Sequence, residues 1–177
     1  MTQYGIRYSA LLTSWATCLG AVVLVLMAVA LPDSLLANDH SVSGPATVID
    51  GQTVMIGDAR YVLYGIAAPR LGQTCEWPDQ EIPCGDVSRT ALMDLVIAST
   101  VNCTSVADEE DPDNTPNSAI IAHCEVGGFD LGRNMVHTGW AVVDRRIGDR
   151  YSDTEDNARA AKRGLWKGSF TLPWEWK

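Results

Sequence analysis

Hydrophobic and polar residues alternate along the first half of the chain, and the segment 46–57 predicts a strand, a tight turn and a second strand. The segment is rich in Val, Ile and Thr, which favour the pleated geometry of strands. Asp50-Gly51 lies between the two strands, and this dipeptide is a strong signal for a hairpin turn. The segment 59–66 predicts a third strand because it has a similar apolar composition.

The apolar spacing then lengthens from two residues to three or four. This spacing over 84–99 predicts an amphipathic helix. Two further apolar stretches, 100–106 and 118–126, predict strands on either side of an acidic loop at 107–117.

Two short helices are predicted in the last third of the chain. The segment 129–139 ends at Gly139, and the segment 154–163 is followed by glycine, the usual residue after a helix. Ser152 and Glu155 have the spacing of a capping box. This order of strands and helices predicts an α+β fold, a five-stranded antiparallel OB-fold barrel with three helices.

The N-terminal region has the pattern of an export signal. Residues 15–31 carry no charge, and Arg7 precedes them. We therefore expect 1–37 to be a signal peptide or an N-terminal anchor, 38–45 a linker and 46–177 the folded domain. The protein is then periplasmic or secreted, and it contacts a membrane only if the N-terminal segment is retained.

The formal net charge of −9 restricts the partners. An acidic surface repels phosphate backbones, which counts against a nonspecific nucleic-acid binder. A protein, an anionic ligand or a polysaccharide remains as a candidate partner.

Four cysteines follow the N-terminal region, and an even set in an exported protein indicates two disulfides. Their spacings of 9, 19 and 21 residues lack the close pairs of a zinc site. We expect the pairs Cys75–Cys84 and Cys103–Cys124, because a hairpin would place the latter two on neighbouring strands.

Several motifs resemble those of one known family. They are "VIDGQTV", "YVLYGIAAPR" and, over residues 158–176, "ARAAKRGLWKGSFTLPWEW". In these motifs the chain from about Ala46 resembles the staphylococcal-nuclease-like (thermonuclease) domain in its exported proteobacterial form. The resemblance implies an OB-fold barrel with three helices.

Active members of that family are calcium-dependent phosphodiesterases, and this sequence departs from them at five positions. The resemblance places Gln52 and Ala67 where active members have calcium-binding aspartates. It places Arg70 at the general base, and Val62 and Ala119 at two phosphate-binding arginines.

These replacements imply a degenerate nuclease site, with no catalytic residue, no metal and no cofactor. Calcium takes six to eight oxygen ligands, and an arginine cannot accept a proton at ordinary pH. Arg60 and Arg70 are a candidate anion contact instead. The sequence thus favours a protein that is not an enzyme and acts as an exported binding or accessory module.

Two alternatives stay open. One is an active secreted calcium-dependent nuclease that hydrolyses DNA or RNA with groups from elsewhere, such as the acidic loop at 108–114. The other, which the family resemblance implies, is an accessory factor in succinoglycan-type exopolysaccharide biosynthesis.

Overall fold

The computed structural model describes residues 41–106 and 119–177. The predicted signal or anchor and the acidic loop at 108–114 lie outside these residues. Within the described part of the chain, no helix is long and apolar enough to cross a membrane.

Ten strands, three α-helices and one 3₁₀ turn make up the described part. The strands are β1 (Ser41–Asp50), β2 (Thr53–Ile56), β3 (Ala59–Leu63), β4 (Ile66–Ala67), β5 (Cys75–Trp77), β6 (Gln80–Ile82), β7 (Thr100–Ser105), β8 (Ile120–Val126), β9 (Phe129–Asp130) and β10 (Val142–Val143). The helices are α1 (Cys84–Val96), α2 (Leu131–Thr138) and α3 (Ser152–Ala160), and the 3₁₀ turn is Gly164–Lys167.

Five strands close into a barrel in the order β3-β2-β1-β7-β8, and β8 pairs with β3 to complete the ring. The predicted OB-fold barrel with three helices is therefore confirmed. The prediction of a purely antiparallel barrel is wrong, because β3 and β8 run parallel, with Val62 opposite Ile121. A ring of five strands requires this: four antiparallel steps return the chain direction to its start, so the closing pair is parallel.

The first strand begins earlier than the sequence predicted. Residues 41–45, expected to belong to a linker, pair with 100–104 of β7. Pro45 is compatible with this edge of the strand, although it has no N–H to donate. The polar composition resembled a linker because alternate side chains along this stretch are exposed.

The core fills the barrel and the space under the helices. The helix α1 buries Leu92 and Val96, and α2 buries Leu131, Met135 and Val136. The helix α2 ends as predicted at Gly139, which adopts a left-handed conformation with φ of 77°.

The predicted capping box at Ser152 does not form. Tyr151 occupies the N-cap position and makes no side-chain capping bond, so Ser152 already lies in α3. Glu155 points into the protein, where its Oε1 accepts the Val143 N–H at 2.7 Å and its Oε2 pairs with Arg145 at 2.7 Å. Tertiary partners thus replace the local cap that the spacing suggested.

Both predicted disulfides are present. Cys103 and Cys124 lie directly opposite each other on β7 and β8. Cys75–Cys84 joins β5 to the first turn of α1. Cys103–Cys124 therefore cross-links two strands of the barrel, and Cys75–Cys84 attaches α1 to β5.

Candidate functional site

Two turns meet at one end of the barrel. The β1–β2 hairpin turn contains Gly51, where an added Cβ would overlap Ser88 of α1 and the side chain of Ala68. The close approach explains the glycine better than turn geometry does, since its φ is not in the left-handed region. The hairpin is thereby held against the turn that follows β4.

Gln52 links these two turns. Its side-chain Oε1 accepts a hydrogen bond from the backbone N–H of Ala68 at 2.7 Å. Its own N–H donates to the Asp50 carboxylate at 2.9 Å, which closes the hairpin turn. The oxygen of Gln52 is thus committed to a buried backbone donor.

A cavity of about 450 Å³ opens beside the two turns. Of the positions that the sequence singled out, Gln52, Val62, Ala67 and Arg70 line it together. Ala119 and Arg60 are not among its lining residues. Ala119 is an exposed residue just before β8. Ile121, the partner of Val62 across the parallel pair, lines the cavity.

The buried side-chain amide of Gln73 fixes the turn that carries Arg70. Gln73 is fully buried, accepts the Arg70 N–H through its Oε1 at 3.1 Å, and donates from Nε2 to the Thr171 carbonyl at 2.7 Å. Gly85 of α1 packs against the same turn, and an added Cβ there would overlap the Arg70 carbonyl. The backbone at Arg70 is therefore rigidly held while its side chain is exposed.

The sequence did not single out the ion pair of this cavity, in which Asp144 is buried and Arg146 is exposed. Asp144 is 4% exposed and accepts hydrogen bonds from Arg146 at 2.8 Å and 2.6 Å. The hydrogen bond from Arg146 lowers the pKa of Asp144, although burial opposes that shift. The acidic residue directly after the apolar run "WAVV" was the available signal.

Arg146 also contacts the aromatic tail. Its guanidinium lies 4.7 Å from the ring centroid of Trp174, which lines the same cavity. A cation over an indole face is a favourable arrangement. The C-terminal segment is thereby attached to the rim of the cavity.

The residues of the cavity do not fit a calcium ion. Ala67 offers no side-chain oxygen. The Gln52 oxygen already accepts the Ala68 N–H, and the Asp144 carboxylate is paired with the Arg146 guanidinium. Asp50 alone remains as a carboxylate ligand, while calcium takes several. Among residues 41–106 and 119–177, no three His, Cys, Asp or Glu side chains are grouped to hold a metal.

The turn at Arg70 and the helix α1 lie in a segment that matches a known protein family. The staphylococcal nuclease homologue family matches residues 60–168, which is more than half of the chain. The chain belongs to the staphylococcal nuclease homologue family. The match contains most of β3, the turn at Arg70, all three helices and the 3₁₀ turn, and it begins after the hairpin that carries Gln52.

A more specific likeness links this member of the family to a bacterial protein. The chain is 27% identical over 128 residues to "Succinoglycan biosynthesis protein ExoI" of Rhizobium meliloti (strain 1021). The aligned part covers 70% of this chain and 64% of that protein. The chain therefore spans less than two thirds of the length of this relative.

Proposed function

We propose that the protein is an exported nuclease-fold protein that does not cleave nucleic acid and serves as a binding or accessory module. One observation carries the proposal. The oxygen of Gln52, which the motif resemblance places where active members have a calcium-binding aspartate, is bonded to the Ala68 N–H. Because this oxygen accepts a backbone N–H, it is not available to a cation, and Gln52 has a structural role at this end of the barrel.

The other positions support the same conclusion. A general base contributes about a hundredfold to ten-thousandfold to a rate, and Arg70 cannot act as one. Val62 and Ala119 carry no charge to stabilise a phosphoryl transition state. Metal, base and clamp act as a unit, so the loss of all three leaves no route through this mechanism.

Export is part of the proposal. Two disulfides indicate that the protein folds in an oxidising compartment, such as the periplasm or the extracellular space. The uncharged run at 15–31 supplies the signal or anchor that such a location requires.

The test is a cleavage assay on the purified full-length protein with single-stranded DNA and RNA. We expect no calcium-stimulated cleavage above a mock preparation. The control variant restores all five groups: Gln52→Asp, Val62→Arg, Ala67→Asp, Arg70→Glu and Ala119→Arg. Gln52→Asp alone should stay inactive.

Cleavage by the unmodified protein that a chelator abolishes would overturn the proposal. The carboxylates of 108–113 would then be replaced next, because they are a dense acidic cluster in the sequence.

The likeness to the succinoglycan protein favours a second candidate, an accessory role in succinoglycan-type exopolysaccharide biosynthesis. The test is deletion of the gene in the source bacterium, with secreted polysaccharide as the readout. We expect a smaller or altered product that the intact gene restores, and an unchanged product would exclude this role.

A further inference from the structure

A second and larger cavity lies away from the turns described above. It has a volume of about 870 Å³ and follows the groove between α2 and α3. It shares no lining residue with the cavity at Gln52. The lining residues that matter below are Phe129, Arg133, Asn134, His137, Asn157 and Arg163.

The two helices face each other here with polar side chains. Arg133 and His137 are four residues apart on α2, and Thr154 and Asn157 are three apart on α3, so each pair lies on one helix face. Helices that only pack against each other normally present apolar stripes. Ala160 at the end of α3 has a small side chain, which leaves the groove open.

The charges in the groove are predominantly positive. Its only carboxylate among the described residues, Asp130, accepts the Tyr151 hydroxyl at 2.9 Å and the Arg133 N–H at 2.9 Å. The exposed acids of α3, Asp153 and Asp156, do not line it. The Asp130 carboxylate is therefore engaged in hydrogen bonds within the protein.

The cations of the groove have no carboxylate partner within 4.0 Å among the described residues. Arg133 donates to the Thr154 hydroxyl at 3.3 Å. Arg163 contacts the His137 ring at 3.4 Å and donates to its carbonyl at 3.2 Å. Two guanidinium groups thus have donors available for a carboxylate.

An exposed aromatic ring lies at one end of the groove. Phe129 is 71% exposed on the short strand β9. A sugar presents C–H groups with partial positive charge, and these pack against the negative face of an aromatic ring. Cations beside such a ring suit a ligand that combines sugar rings with acidic groups.

We propose that the groove between α2 and α3 binds an acidic polysaccharide, with Arg133 and Arg163 on its carboxylates and Phe129 against a sugar ring. The net charge of −9 favours this polymer over nucleic acid. A single nucleic-acid strand carries about one charge per 3.4 Å, whereas a polysaccharide with at most one acid per sugar has its charges further apart and meets weaker long-range repulsion. The inference rests on the proposed binding role and gives that role a site and a ligand class.

The experiment is calorimetric titration of the full-length protein with three probes. They are tetragalacturonate, the neutral tetramer cellotetraose, and an oligothymidylate of eight nucleotides. We expect tetragalacturonate to bind most tightly and its affinity to fall as salt is added. Arg133→Gln should weaken it by about tenfold or more, as expected for loss of a charge-assisted hydrogen bond.

Two further variants make the result specific. Phe129→Ser should weaken tetragalacturonate binding and leave the fold intact, because the ring is exposed. Arg89→Gln removes the same charge from an exposed position on α1, so it should change the affinity by less than about twofold.

Four results would each overturn the inference. They are equal binding of cellotetraose, tighter binding of the oligothymidylate, no binding of tetragalacturonate, and equal effects of Arg133→Gln and Arg89→Gln. The cleavage assay separates it from the proposed function. Cleavage of DNA would defeat the proposed function, whereas absent tetragalacturonate binding without cleavage would defeat the groove alone.

Discussion

The side-chain oxygen of Gln52 lies 2.7 Å from the backbone nitrogen of Ala68 and accepts its N–H. Ala68 is 4% exposed, so its N–H has little access to water. A buried donor that loses its partner costs free energy. This hydrogen bond therefore stabilises the contact between the hairpin and the turn before Arg70.

The first prediction tests that bond with Gln52→Met, which keeps the length of the side chain and removes the acceptor. We expect the free energy of unfolding to fall by about 1–2 kcal/mol, measured by urea denaturation. Gln52→Glu keeps an acceptor oxygen and should lose less than half as much. An equal loss in both variants would show that the hydrogen bond is not what the side chain contributes.

The second prediction concerns the pH dependence of the Asp144–Arg146 pair. Because the pKa of Asp144 is lowered in the folded protein, its contribution is present above the unfolded pKa of about 3.9 and is lost as the pH falls through the folded pKa. Asp144→Asn should thus destabilise the protein by about 2 kcal/mol at neutral pH. The difference from the unmodified protein should shrink below about pH 4.

The measurement is urea denaturation of both proteins across that range. Asp149→Asn is the matched control, because Asp149 is an exposed carboxylate five residues further along. A stability gap for Asp144→Asn that stays constant down to the lowest pH would contradict the assignment to ionisation.

The third prediction compares the two disulfides. Replacing Cys103 and Cys124 by Ala opens a loop of 21 residues, and replacing Cys75 and Cys84 opens one of 9. Loop entropy predicts losses of about 3.3 and about 2.6 kcal/mol. All four cysteines are buried, so the packing loss is similar in both variants. Thermal denaturation should rank Cys103–Cys124 as the more important bond, and the reverse order would contradict the loop-entropy account.

The fourth prediction concerns Gly85. A methyl group there would overlap the Arg70 carbonyl, which is backbone and cannot move aside easily. Gly85→Ala should therefore destabilise the protein by about 3 kcal/mol. Gly57→Ala has open space around it and a φ of 59°, so it should cost only about 1 kcal/mol. Equal losses in denaturation would mean that the turn at Arg70 adapts.

Much of the fold was predictable because the signals are local. Asp50-Gly51 marked the hairpin, the apolar spacing marked α1, and Gly139 marked the end of α2. Backbone preference and side-chain periodicity act within a few residues, so a sequence window contains them. The disulfide Cys103–Cys124 followed from the same reasoning, since a hairpin aligns its strands.

Less of the site was predictable. The resemblance indicated which positions to compare, and the structure brings Gln52, Val62, Ala67 and Arg70 to one cavity, without Ala119 or Arg60. None of these four positions carries the residue type that the resemblance implies for an active member, and that is a property of the sequence itself.

The sequence by itself determined the five barrel strands in outline, the three helices, the cysteine pairs and the types of residue available for chemistry. Only the tertiary structure decided the parallel closure of β3 on β8, the buried partners of Gln52 and Glu155, and the basic groove between α2 and α3. The physical reason is distance along the chain. Hydrogen bonds and charges act over a few ångströms in space, and residues such as Gln52 and Ala68 become neighbours only after the barrel closes.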